Sequence, residues 1–186
     1  MKDPYSSYTG SLIRTTRKAQ NMTLMELANQ SGLSVSFLSQ VERGLTNPSI
    51  NSLRKVAFSL NTPLSFFFEE GSQNSGPVIK KDDRKVLIST DSRLTYQLLS
   101  PDPGRRIEFL ITRLEVGGTS AESPMTHQGD EAALILQGKG RFQVDGQLYD
   151  LEEGDFIYIR ENQPHKFTNT GNVPLIIAGA ISPPGF

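Results

Sequence analysis

Apolar positions recur every three or four residues through the first third of the chain and every second residue through the rest. That change of period predicts helices first and strands afterwards. In residues 11–20, Leu12 and Ile13 mark the inner side of an amphipathic helix. Thr23 precedes Glu26 by three residues, a capping box that opens a second helix over 24–30. A turn at Ser31-Gly32-Leu33 follows. Ser34 then caps a third helix, 35–43, which Gly44 ends. Ser49 caps a fourth over 50–60, with Ile50, Leu53, Val56, Ala57 and Leu60 at helical spacing. A fifth, short helix is expected from Asn61-Thr62-Pro63 through Phe68.

Beyond residue 84 the alternation predicts nine strands: 85–90, 94–99, 106–116, 132–136, 141–144, 147–151, 156–159, 165–169 and 175–181. Asp145-Gly146 reads as a two-residue hairpin turn of type I′. Many short strands between Gly and Pro turns indicate a sandwich or barrel. The stretch 69–77, rich in Gly and Ser, reads as a linker. The expected layout is therefore an α + β chain of two domains: 1–70 helical, 71–83 linker, and 84–186 an antiparallel β-barrel.

Charge sharpens the division. Residues 1–68 carry seven basic and three acidic side chains, net +4, whereas the chain as a whole is −1. A cationic coat over the entire molecule is excluded, and any attraction to nucleic acid belongs to the first part. There is no cysteine among the 186 residues, which excludes disulfides and thiolate metal sites. The first 20 residues lack the apolar core of a secretory signal. The longest apolar run, 175–181, is far short of the ~20 residues that span a bilayer. A cytoplasmic protein with no membrane partner is the expectation.

The run from Thr23 to Ser49, with its Glu26-Leu27-Ala28, Ser31-Gly32-Leu33-Ser34, Val41-Glu42-Arg43-Gly44 and Asn47-Pro48-Ser49 segments, resembles the phage-repressor-like, or XRE, helix-turn-helix family. The resemblance covers residues 8–68 and implies a five-helix bundle whose third helix enters the major groove of a double-stranded DNA operator. It assigns Ser34, Ser36, Phe37 and Gln40 to the groove-facing side, with Ser36 and Gln40 as base readers. Thr23, Arg43, Thr46 and Asn47 are assigned to phosphates, which position the module without specifying sequence. Arg17 and Glu42 match a structural ion pair of the family, and a homodimer on a near-palindromic site is implied.

The second part holds both histidines, His127 and His165. Their surroundings, with Glu131, Gly138, Gly154 and Asn169, resemble the paired motifs of the cupin (jelly-roll) barrel over residues 84–186. Met125, Arg160 and Asn162 stand where those motifs carry His, Pro and Gly. Two imidazoles and a carboxylate from His127, Glu131 and His165 are the ligand set of a divalent metal such as Fe, Zn, Ni or Mn. The alternative is a metal-free pocket in which the same residues hydrogen-bond an organic effector. Glu131 alternates with Ala133, Ile135 and Gln137, which are expected to share its inner face. Arg113, Met125, Tyr158 and Phe167 are further candidates for an effector pocket.

One DNA-reading half and one pocket half imply a sequence-specific transcriptional regulator, not an enzyme, whose operator binding responds to a small effector. The alternative is a mononuclear non-haem metal enzyme, since a hydroxypropylphosphonate epoxidase is similar in domain order and in its His-X-X-X-Glu…His arrangement.

Overall fold

In the computed structural model, residues 4–68, 77–89, 93–100 and 106–184 are described. The chain separates into two compact units that meet between Ser75 and Gly76. Most of the expected linker lies outside the described residues; Lys81–Asp83 forms a short 3-10 turn.

The first unit contains α1 (Pro4–Ala19), α2 (Leu24–Ser31), α3 (Val35–Glu42) and α4 (Ile50–Ser59). Thr23 and Glu26 make both bonds of the capping box. Gly32, at φ 65°, ends α2, and the Oγ of Ser34 accepts from the Phe37 N–H at 3.1 Å to begin α3. Ser49 starts α4 in the same way. Ile13, Leu27, Leu38, Val41, Leu53 and Leu60 fill the core.

Two expectations need correction here. The fifth helix is a 3-10 helix, Leu64–Phe68, so the bundle has four α-helices. Five residues after a proline are too few to sustain an α-helical ladder, and the tighter i→i+3 pattern takes over. The first helix begins at Pro4, seven residues before the expected start at residue 11. A proline lacks only an N–H that the first turn leaves unused anyway. Gly10 explains the polar start: a Cβ there would collide with the Val41 carbonyl, so α1 and α3 meet backbone to backbone.

The second unit contains β1 (Lys85–Ser89), β2 (Leu94–Leu98), β3 (Glu108–Leu114), β4 (Asp130–Gln137), β5 (Lys139–Val144), β6 (Gln147–Glu152), β7 (Phe156–Ile159), β8 (His165–Asn169) and β9 (Leu175–Ser182). They form two antiparallel sheets, in the order β1-β2-β3-β9-β4-β7 and β6-β5-β8. Among the described residues no ladder joins the sheets into a closed barrel, so the unit is a two-sheet, cupin-like sandwich. Asp145 and Gly146, at φ 50° and 79°, make the β5–β6 turn. Alternate residues Leu110, Leu114, Ala133, Ile135, Ile177 and Ile181 face the interior.

One buried ion pair links the helices. The Arg17 guanidinium donates from Nε and Nη2 to the two carboxylate oxygens of Glu42 at 2.6 and 2.8 Å, and from Nη1 to the Met22 carbonyl at 2.7 Å. The Glu42 bonds hold the Arg17 proton more firmly than in water. Removing one member of such a pair strands the other. Arg17→Ala is therefore expected to destabilise the helical unit by about 3 kcal/mol, read by urea denaturation at 222 nm. Exposed Arg14→Ala is expected to unfold like wild type.

Candidate functional sites

On the helical unit, Ser36 and Gln40 are exposed on α3. They stand one turn apart, with the Gln40 amide 3.5 Å from the Ser36 hydroxyl. Their donors and acceptors are therefore presented side by side at the surface. The Ser34 hydroxyl oxygen is engaged as the cap of α3. Phe37 is half-buried. Arg43 is exposed beyond the end of α3, its Nε donating to the Ser39 carbonyl at 3.1 Å. Thr23 is exposed before α2 and tied to Glu26. Thr46 is half-buried and Asn47 exposed in the loop before α4. The α3 first turn carries no acid, and the nearest acid along the helix, Glu42, is neutralised by Arg17. The surface around Ser36 and Gln40 thus has little to repel a polyanion.

On the strand unit, three elements converge. Glu131 comes from β4 and His165 from the start of β8, while His127 precedes β4. Met125 pairs its backbone with that of His165 in both directions, at 2.9 and 2.8 Å, so the segment before β4 is pinned to β8. All three side chains are buried, and one ligand atom from each lies within 4.8 Å of the others. The Nε2 of His127 is 3.1 Å from Oε2 of Glu131, and the Nε2 of His165 is 3.6 Å from the same oxygen.

The backbone sets the tautomers. His127 Nδ1 faces the Gln128 carbonyl at 3.1 Å, and His165 Nδ1 faces the Gln163 carbonyl at 2.8 Å. A carbonyl only accepts, so each Nδ1 carries the proton. Both Nε2 atoms are then turned toward the Glu131 carboxylate, to which an Nε2–H would donate and beside which a bare Nε2 would offer a lone pair to a cation. Backbone carbonyls that fix Nδ1–H and free Nε2 are the usual outer support of a metal-ligating histidine. The donor set fits a divalent ion, with two nitrogens and one carboxylate oxygen at hand.

The other pocket candidates divide. Ala133 is buried two residues along β4 from Glu131, and its small side chain leaves room there. Phe167, two residues from His165 on β8, is buried and stacks on Phe142 with ring centroids 5.2 Å apart. Met125 is half-buried beside His165. Arg113 and Tyr158 are not brought to this cluster. Their register partners Ile176 and Ala132 lie on the outward parity of the large sheet. Arg113 pairs with Glu115 at 2.7 Å, and the Tyr158 hydroxyl donates to Asp130. That hydrogen bond lowers the Asp130 pKa and raises that of Tyr158. Gln137 also faces away from Glu131, because a register shift between Ile135 and Gln137 breaks the alternation.

Two residues beside the cluster escaped the sequence reading. A Cβ on Gly179 would stand 3.3 Å from Glu131 Oε1, so only glycine leaves the carboxylate uncrowded. Glu108 is buried on the inner face, one strand beyond Ile181, the register partner of both acids. Its alternation with Leu110, Thr112 and Leu114 was the available signal. Asn162, where the cupin motif carries glycine, takes the left-handed conformation at φ 60° that glycine serves elsewhere.

A helix-turn-helix family profile matches residues 13–67, and a cupin domain profile matches 110–179. The chain is 30% identical over 181 residues to the HTH-type transcriptional regulator PuuR of Escherichia coli K12, covering 95% of this chain and 96% of that one. It is 24% identical over 88% of each chain to the regulator SutR of the same organism. An HTH_3 family transcriptional regulator from Vibrio cholerae has the same fold, with a TM-score of 0.76 and 23% identity over 96% of each chain.

The cluster predicts saturable uptake of a divalent ion. Titration with cobalt(II) is expected to give a ligand-field absorption in wild type that Glu131→Ala and His165→Ala lose, with thermal unfolding rising on metal addition in wild type alone.

Proposed function

Because the chain belongs to the family of helix-turn-helix transcriptional regulators that end in a cupin domain, we propose that its cupin half senses a small effector at His127, Glu131 and His165 and thereby adjusts how the helical half holds its operator. The chain is a sequence-specific DNA-binding regulator. The observation that carries the sensing role is the buried convergence of two Nε2 atoms on one carboxylate. Burying that combination costs free energy unless its members are paired or coordinate a cation.

On the DNA side, α3 lies in the major groove. The Gln40 amide carries a donor and an acceptor in one plane, the pattern that matches the N6 and N7 edge of adenine. Ser36 reads the adjoining base edge, with Ser34 and Phe37 beside it. Arg43, Thr23, Thr46 and Asn47 meet phosphates and set the docking register. The Arg17–Glu42 pair holds α1 to the end of α3 and so fixes the reader's tilt. Two chains act together, each reading one half-site about one helical turn from the other.

On the sensing side, His127 and His165 would hold a divalent ion through Nε2, with Glu131 supplying the oxygen. When bound, the ion offers open coordination positions to an effector bearing oxygen or nitrogen donors. Met125 limits the site from the β8 side. Phe167 gives it an apolar wall, and Ala133 and Gly179 leave space. The regulators among its relatives support a non-enzymatic role for this half.

Effector and operator are coupled reciprocally: each changes the other's affinity by the same factor. Operator binding followed by fluorescence anisotropy, with zinc(II) and a panel of amines and carboxylic acids, is expected to shift for at least one panel member in wild type. The shift disappears in His127→Ala, which still binds DNA. A panel with no effect on wild type would defeat the sensing role. Gln40→Ala is expected to cost about 1–3 kcal/mol at one operator position and to relax its preference; equal losses on every sequence would move Gln40 from base to phosphate contact.

A further inference from the structure

We infer that Gly129 is a positioning residue: its left-handed backbone holds the Gln128 carbonyl against His127 and so decides which imidazole nitrogen carries the proton. Gly129 stands midway in sequence between two members of the buried cluster, His127 and Glu131. Its φ is 82°, in the region that L side chains rarely adopt. A Cβ there would also collide with the Pro183 carbonyl, where the end of β9 passes behind the loop. Gly146, in the β5–β6 turn, has a similar φ of 79° but open space around it.

The effect on His127 passes through one peptide plane. A peptide unit is flat, so ψ of Gln128 and φ of Gly129 turn the same plate. That plate bears the carbonyl that faces His127 Nδ1 at 3.1 Å. The chain is held on both sides of it. The His127 carbonyl accepts from the Asn162 N–H at 3.0 Å. The Asp130 carboxylate accepts from the Glu161 N–H at 2.8 Å and from the Tyr158 hydroxyl, and Asp130 opens the β4–β9 ladder opposite Ser182. With both flanks fixed, a negative φ at 129 is reached by turning the plate over. The Gln128 carbonyl then leaves the ring, and Nδ1–H loses its acceptor. The proton moves to Nε2, which lies 3.1 Å from Glu131 Oε2 and can donate to it. A nitrogen that donates there has no lone pair left for a cation. His165 takes its Nδ1 acceptor from the Gln163 carbonyl at 2.8 Å, in a different loop, and serves as the internal reference.

The inference rests on the reading of His127 as a sensing residue. That reading is tested by operator binding and this inference by the imidazole proton, so either can fail alone. The chain has two histidines. Long-range proton–nitrogen correlation spectra, taken with labelled histidine at a pH above its titration range, therefore show two patterns, and His127→Ala identifies one of them. Wild type is expected to show Nδ1–H for both rings. Gly129→Ala is expected to move His127 alone to Nε2–H and to weaken cobalt(II) binding about 10–100-fold. Gly129→Asn brings the same Cβ but tolerates positive φ, and is expected to keep the Nδ1–H form. Gly146→Ala, which strains a glycine far from the site in sequence, is expected to leave both patterns and cobalt binding unchanged. Nε2–H at His127 in wild type, or an unaltered His127 pattern in folded Gly129→Ala, would overturn the inference. Equal change in Gly129→Asn and Gly129→Ala would trace to the Cβ and overturn the role given to φ. If both variants fail to fold while Gly146→Ala folds, Gly129 serves the fold at large and the inference is likewise lost.

Discussion

Two imidazole lone pairs and a carboxylate do not share a buried space without something positive between them. The strand unit is built so that this conflict cannot be evaded. The Gln128 and Gln163 carbonyls hold the Nδ1 protons, so neither ring can turn its N–H toward Glu131 without losing a backbone bond. The Met125–His165 backbone pairing keeps the two histidine-bearing segments together, and glycine at 179 keeps the carboxylate in place. Either protons or a cation must complete the set, and each choice ties occupancy to the chemical surroundings. A sensor needs that dependence, whereas a core of leucines has no means to provide it.

The helical unit resolves its own buried charge in the opposite way. Arg17 and Glu42 complete each other with two short bonds, and the Met22 carbonyl takes a further donor. Nothing is left open to a ligand. The two units therefore treat buried polarity differently: one uses it to lock a geometry, and the other gathers two imidazoles about one carboxylate, the arrangement on which the proposed sensing role rests.

Much of this was legible in the sequence because local chemistry specified it. Capping serines, the Thr23–Glu26 box and the Asp145–Gly146 turn act over three or four residues, and the structure has them where spacing predicts. All nine strands exist for the same reason, that alternation is a local signal. The readings that failed depend on partners distant in the chain. The polar start of α1 makes sense only against the Val41 carbonyl. The outward positions of Arg113 and Tyr158 depend on which strand face is covered. The register break after Ile135 reverses a parity argument that holds through Glu131 and Ala133. The resemblance to cupins drew attention to His127, Glu131 and His165, and geometry then brought them together. Gly179, some fifty residues away, had no local mark.

The backbone contact at Gly10 constrains how such a molecule can evolve. With no side chain between α1 and the end of α3, the angle at which α3 projects is set by main-chain packing and leaves no slack for gradual re-aiming. New target sequences must then be acquired by exchanging surface residues such as Ser36 and Gln40 on a frame that stays put. Recognition can drift quickly while the mount that carries it is held by a single missing methyl group.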